Sequence, residues 1–158
     1  MTLTTDPSRL SGLEVMRLIA DGTLPPPPIA SLLGMEVEEV GDGYATFVLE
    51  PDARMLNPIG SVHGGIAATM LDSCMGCAVH TTLEPGRGYT TAQLNVHYLR
   101  SMQPGMGRVR ATGTVLHRGR KQATAEARLV DAEGRLLAHG TTTCLILAGE
   151  AGPLRTVS

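Results

Sequence analysis

Gly64-Gly65-Ile66-Ala67-Ala68-Thr69-Met70-Leu71-Asp72-Ser73-Cys74-Met75-Gly76-Cys77-Ala78-Val79-His80-Thr81-Thr82-Leu83 is the longest helical candidate in the chain. Its apolar residues go nearly all the way round instead of forming one stripe, which marks a helix buried on most sides. Two strand-like runs precede it, Met35–Val40 and Tyr44–Leu49, separated by the turn Gly41-Asp42-Gly43. Four follow: Thr90–Leu99, Met106–His117, Gln122–Val130 and Arg135–Leu147. In the second of these, Val109, Ala111, Gly113 and Val115 alternate with Arg108, Arg110, Thr112 and Thr114, the period of a half-buried strand. Short turns such as Arg118-Gly119-Arg120 and Asp131-Ala132-Glu133-Gly134 suit hairpins and meanders. The order predicts an α+β fold in which an antiparallel sheet wraps one buried helix.

The rest of the chain is arranged around that unit. Residues 8–22 read as a short amphipathic helix capped by Ser8 or Ser11 and stopped by Gly22. Pro25 to Pro28 can be neither helix interior nor central strand and read as a stiff connector. Ile29–Leu33 reads as one helical turn ended by Gly34, and residues 51–62 as an irregular loop. The expected division is residues 1–28 as a helical appendage with a Pro-rich linker, 29–148 as the domain, and 149–158 as a loose tail.

Composition narrows the function. Of 158 residues 42% are apolar, 3% are aromatic, and the formal net charge is −2. So few rings deny a stacking platform for single-stranded nucleic acid, and the near-neutral charge denies a broad basic face. No apolar run approaches the roughly 20 residues that span a bilayer, and the N-terminus lacks a signal-peptide layout. Three cysteines do not read as a disulfide framework. The expectation is a soluble, cytoplasmic protein with neither nucleic acid nor membrane as a partner.

The informative stretch is Asn57-Pro58-Ile59-Gly60-Ser61-Val62-His63-Gly64-Gly65, which enters the buried helix. Glycines at a helix start allow close backbone approach, and the first amides there point outward, unpaired, with the helix dipole behind them. A polarised carbonyl or a developing oxyanion needs such donors. Asp72 is the oddity, a carboxylate on an otherwise apolar helix, where burial without a partner is costly. That setting suits a general base or a dry nucleophile. Gly64 and Asp72 are eight residues apart, about 12 Å along a helix. A carboxylate and an oxyanion donor must meet at one carbonyl group, within roughly 3–3.5 Å of the reacting atoms. Two antiparallel copies supply both ends more easily than one helix does, so a site shared across a homodimer is expected.

Asn-x-x-Gly-x-x-His-Gly-Gly followed by Asp nine residues after the His resembles the hotdog-fold acyl-CoA thioesterases, of the phenylacetyl-CoA thioesterase and mammalian thioesterase superfamily member 2 type. The resemblance covers about residues 30–147. It implies that Asp72 activates water or attacks the thioester carbon itself. It also implies that the Gly64 amide polarises the carbonyl, that Asn57 helps hold and orient it, and that His63 supports the site. Thr91 lies where a water-positioning Ser or Thr would fall. Homodimers, often paired as dimers of dimers, no metal and no cofactor are further implications. The Pro-rich N-terminal extension departs from the short members of the family.

The function expected is hydrolysis of an acyl- or aryl-CoA thioester to free acid and coenzyme A. A non-catalytic acyl-CoA-binding hotdog protein and a hotdog enoyl-CoA hydratase or dehydratase are the alternatives; the spacing from His63 to Asp72 fits the thioesterase pattern better. Gly65, Arg100, Arg118, Arg120 and Lys121 are the candidate substrate-binding residues, the basic ones for coenzyme A phosphates, with plain solvation as their other reading. Cys74-Met75-Gly76-Cys77 spells C-x-x-C, but it lies inside the helix without a second ligand pair, so core packing is expected.

Overall fold

The computed structural model describes residues 6–148, so the expected tail at 149–158 lies outside the described residues. Three helices and six strands are formed: α1 (Gly12–Ala20), α2 (Pro28–Leu33), β1 (Glu36–Gly41), β2 (Tyr44–Leu49), α3 (Gly64–Thr81), β3 (Gly88–Tyr98), β4 (Val109–Arg118), β5 (Gln122–Val130) and β6 (Leu136–Leu147). The strands make one sheet in the order β1-β2-β4-β5-β6-β3, with every neighbouring pair antiparallel. Helix α3 packs on this sheet and touches all six strands.

Side-chain size sets how closely helix and sheet approach. Met70, Leu71, Cys74 and Met75 of α3 are fully buried, and the sheet meets them largely with alanines, among them Ala111, Ala123, Ala125 and Ala127. A Cβ added at Gly113 of β4 would stand 2.6 Å from the Cys74 carbonyl. Flexible methionines against small strand residues fill most of this core, with Phe47 its one buried phenylalanine. Cys74 and Cys144 are buried free thiols, and burial pushes Cys77 up to about 12, so the C-x-x-C pair behaves as core packing.

The first helix is shorter than residues 8–22. Residues Pro7–Arg9 form a separate 3-10 turn, and Ser11 caps α1 in a reciprocal capping box with Glu14. Helix α1 rests on β1 and α3 and buries Met16 in the core. Pro28 belongs to α2 rather than to the connector, at the first helical position, where its missing N–H costs nothing. Gly34 ends α2 in the left-handed region at φ 66°. Inside residues 51–62, Ala53–Met55 form a 3-10 turn and Leu56 bridges Val62.

The two edges of the sheet differ. Edge strand β1 carries Glu36, Glu38 and Glu39 and a register irregularity, devices that discourage further pairing. Edge strand β3 is 11 residues long and holds no Asp, Glu, Lys or Arg, and no described strand pairs with its outer side.

Candidate active site

The loop into α3 is built by one side chain. Asn57 Oδ1 accepts from the N–H groups of Ile59 (3.1 Å) and Ser61 (3.2 Å), and its Nδ2 donates to Ser61 Oγ at 2.9 Å. Gly60 supplies the positive φ (84°) that the turn needs. One Nδ2 hydrogen of Asn57 is left over for another acceptor. His63 N–H then donates to Met55 O at 2.7 Å, fixing where the helix begins.

His63 is the N-cap of α3, and its Nδ1 accepts from the Gly65 N–H at 2.8 Å. The Ile66 N–H goes to His63 O at 2.9 Å. Gly64 N–H has no hydrogen-bond partner among the described residues. Of the two glycines, therefore, Gly64 keeps its donor and Gly65 does not. Gly64, Asn57 and Arg100 line a cavity of about 290 Å³ whose apolar walls include Val62, Leu129 and Leu137.

Asp72 sits two turns further along α3, half-buried, and lines none of that cavity. Thr91 Oγ1 on β3 donates to Asp72 Oδ1 at 2.8 Å, so the threonine orients the carboxylate directly. One residue pair deeper in the same α3–β3 seam, Tyr89 lies over Gly76, where an added Cβ would meet its hydroxyl at 2.6 Å. Burial pushes Tyr89 and Cys144 upward, as it does Cys77. At neutral pH these neighbours stay protonated and add no negative charge beside Asp72.

The basic candidates separate. Arg100 donates to Leu136 O at 2.7 Å at the cavity. Arg118 is committed to Gly119 O and to Glu84, and its Nε is buried without a partner. Arg120 and Lys121 stand exposed on the β4–β5 turn with no carboxylate partner among the described residues. No three His, Cys, Asp or Glu side chains among the described residues group as metal ligands, and no described helix is long and apolar enough to cross a membrane. Sequence reading overlooked Tyr98, whose hydroxyl donates to Gly64 O at 2.9 Å. Its only signal in the sequence is that it is one of three tyrosines in a chain with 3% aromatic residues.

Known proteins share this fold. A family model for the thioesterase superfamily matches residues 59–138, just over half of the chain. The 1,4-dihydroxy-2-naphthoyl-CoA hydrolase of Escherichia coli K12 is 25% identical over 85% of this chain and 94% of its own. A solved phenylacetic acid degradation-related protein of Ralstonia eutropha JMP134 is 31% identical, with a TM-score of 0.74 over 82% of this chain and 97% of that one. The E. coli PaaI protein shares the fold, with a TM-score of 0.77 at 20% identity over 89% and 99% of the two chains. A six-stranded antiparallel sheet around one long helix is thus the hotdog fold, of the α+β class. The chain belongs to the thioesterase superfamily and is a thioester hydrolase.

Proposed function

We propose that the substrate is an acyl-CoA thioester and that each active site is assembled from two copies of the chain. The unpartnered Gly64 N–H beside an apolar cavity is the observation that carries this reading. A donor at a helix N-terminus suits the thioester oxygen as it gains negative charge. The E. coli relative is named as a hydrolase of an aryl-CoA, which supports a coenzyme A thioester here.

The division of labour follows from β3. Thr91 on this strand meets Asp72, and Tyr98 on the same strand meets Gly64. Antiparallel pairing of two β3 edges about their centre, near Leu94 and Asn95, sets Thr91 of one copy opposite Tyr98 of the other. Asp72 of one protomer then faces Gly64 of its partner, which one helix does not accomplish. Asp72, oriented by Thr91, takes a proton from water as that water attacks the thioester carbon, or attacks the carbon itself to give an acyl–Asp72 anhydride that water then hydrolyses to the free acid. The oxyanion forms against Gly64 N–H, and collapse expels the coenzyme A thiolate. The spare Asn57 hydrogen assists in holding the carbonyl, while His63 maintains the helix start. Arg120 and Lys121, without a carboxylate partner among the described residues, are assigned to the coenzyme A phosphates; Arg118 is already engaged.

Two substitutions and their mixture test this. Asp72→Asn removes the base and is expected to lower kcat for thiol release by about 10³. Gly64→Pro deletes the one free N–H at the first helical position, where proline is tolerated and where His63 (φ −56°, ψ 132°) already has the backbone a following proline demands. It is expected to cost about 10²–10³ in kcat. Co-folding the two variants creates mixed dimers with one intact site, so thiol release recovers towards half the wild-type value per mixed dimer. Recovery absent in dimers shown to be mixed would overturn the shared site, and tight acyl-CoA binding without thiol release by the wild type would overturn the assigned reaction.

A further inference from the structure

Two glycines at the start of α3 have the widest backbone freedom of any residues, yet the proposed site needs one amide held in one direction. The peptide plane between Gly64 and Gly65 is gripped at both ends. Its N–H, on Gly65, donates to His63 Nδ1 at 2.8 Å. Its carbonyl, on Gly64, accepts from the Tyr98 hydroxyl at 2.9 Å. The Tyr98 ring lies against Gly64 as well, since a Cβ added there would meet it at 3.3 Å. Tyr98 is 56% exposed, so burial in the described chain does not account for its placement. The side chain lies against the helix start rather than in the core.

We infer that Tyr98 and His63 clamp the Gly64–Gly65 peptide, and that Tyr98 is a positioning residue that aims the Gly64 N–H and ties it to strand β3. This rests on the reading of Gly64 as the carbonyl donor. With this plane pinned, and the adjoining His63–Gly64 plane held by the Ile66 N–H on His63 O at 2.9 Å, rotation about both Gly64 backbone bonds is restricted and the free N–H keeps its direction beside the cavity. Because Tyr98 ends the open edge strand, pairing of two β3 strands holds the donor of one copy in register with Asp72 of the other.

Tyr98→Phe keeps the ring on Gly64 and removes only the hydroxyl. The expected result is a fall of about tenfold in kcat with KM changed by less than about twofold, less than deleting the donor itself. The shape of the pH–rate profile stays the same because Asp72 and Thr91 are untouched, and the dimer fraction and unfolding midpoint stay the same too. His63→Leu is expected to match that loss, whereas His63→Asn, which retains a capping acceptor, recovers most of it. Backbone amide NMR of the unliganded protein reads the clamp without any substrate: Gly64 and Gly65 shift in Tyr98→Phe while Asp72 and Thr91 do not. Unchanged kcat together with unchanged Gly64 and Gly65 resonances overturns the inference, as does a parallel loss of dimer, midpoint and kcat. Should the wild type release no thiol from any acyl-CoA, the function fails, and the amide resonances still decide the clamp.

Discussion

The two ends of helix α3 are finished in opposite ways. At the C-terminal end the backbone is satisfied several times over. Thr82 and Leu83 N–H groups bond back to Val79 and His80, the Thr81 and Thr82 hydroxyls donate to Ala78 and Val79 carbonyls, and Thr81 Oγ1 also accepts from Gly43 N–H. Helix α1 then closes over this end, with Gly12 N–H donating to Leu83 O at 3.0 Å. At the N-terminal end the N–H groups of His63, Gly65 and Ile66 have partners, and that of Gly64 has none among the described residues. The contrast is between a sealed backbone and an open one: the last turn of α3 has its backbone groups paired, and the proposed site leaves the Gly64 N–H for a ligand to satisfy.

That division can be broken by substitution at either end. The largest effect belongs to the open end, where Gly64→Pro is expected to lose about 10²–10³ of kcat while its unfolding midpoint moves by less than about 2 °C. At the sealed end the pattern reverses. A Cβ at Gly12 would stand 1.7 Å from the His80 carbonyl oxygen, so Gly12→Ala must push α1 off α3. A cost of about 1–3 kcal/mol is expected, lowering the midpoint by about 3–8 °C, with kcat at 25 °C within about twofold of wild type. Thermal unfolding and thiol release measured on both variants decide the matter; loss of activity and stability together in either one would erase the distinction.

The smallest effect is a pH dependence at the sealed end. Burial holds His80 below its ordinary value of 6.5, and its Nδ1 is buried without a partner. The folded state thus binds this proton less readily than the unfolded chain does. Stability from this source is complete above about pH 6.5 and declines as pH falls below it. The unfolding midpoint of the wild type should drop between pH 7 and pH 5.5 by more than that of His80→Phe, which has nothing to titrate. Equal drops in the two proteins would remove His80 from the account.

Much of the fold was legible because its signals are local. Tyr44–Leu49 and Gln122–Val130 coincide with β2 and β5, and the all-round apolar character of residues 64–83 announced a helix enclosed by a sheet. Pro28 was misread as linker because a proline run says nothing about which member starts a helix. Within the proposed site, Gly64 and Asp72 stand out in the sequence as glycine and carboxylate in an otherwise apolar helix. Tyr98 was not, because its partner is a backbone carbonyl 34 residues away, and no periodicity marks such a contact.

By itself, then, the sequence determined the elements, the burial of α3, and the separation of Gly64 from Asp72 along one helix, since periodicity and helical rise depend only on neighbours in the chain. Tertiary structure alone decided that Thr91 reaches Asp72, that His63 takes the Gly65 amide and leaves Gly64 free, and that Tyr98 grips the same peptide. Those outcomes depend on where β3 crosses α3, which is set by close packing of methionine against alanine and glycine across the whole core.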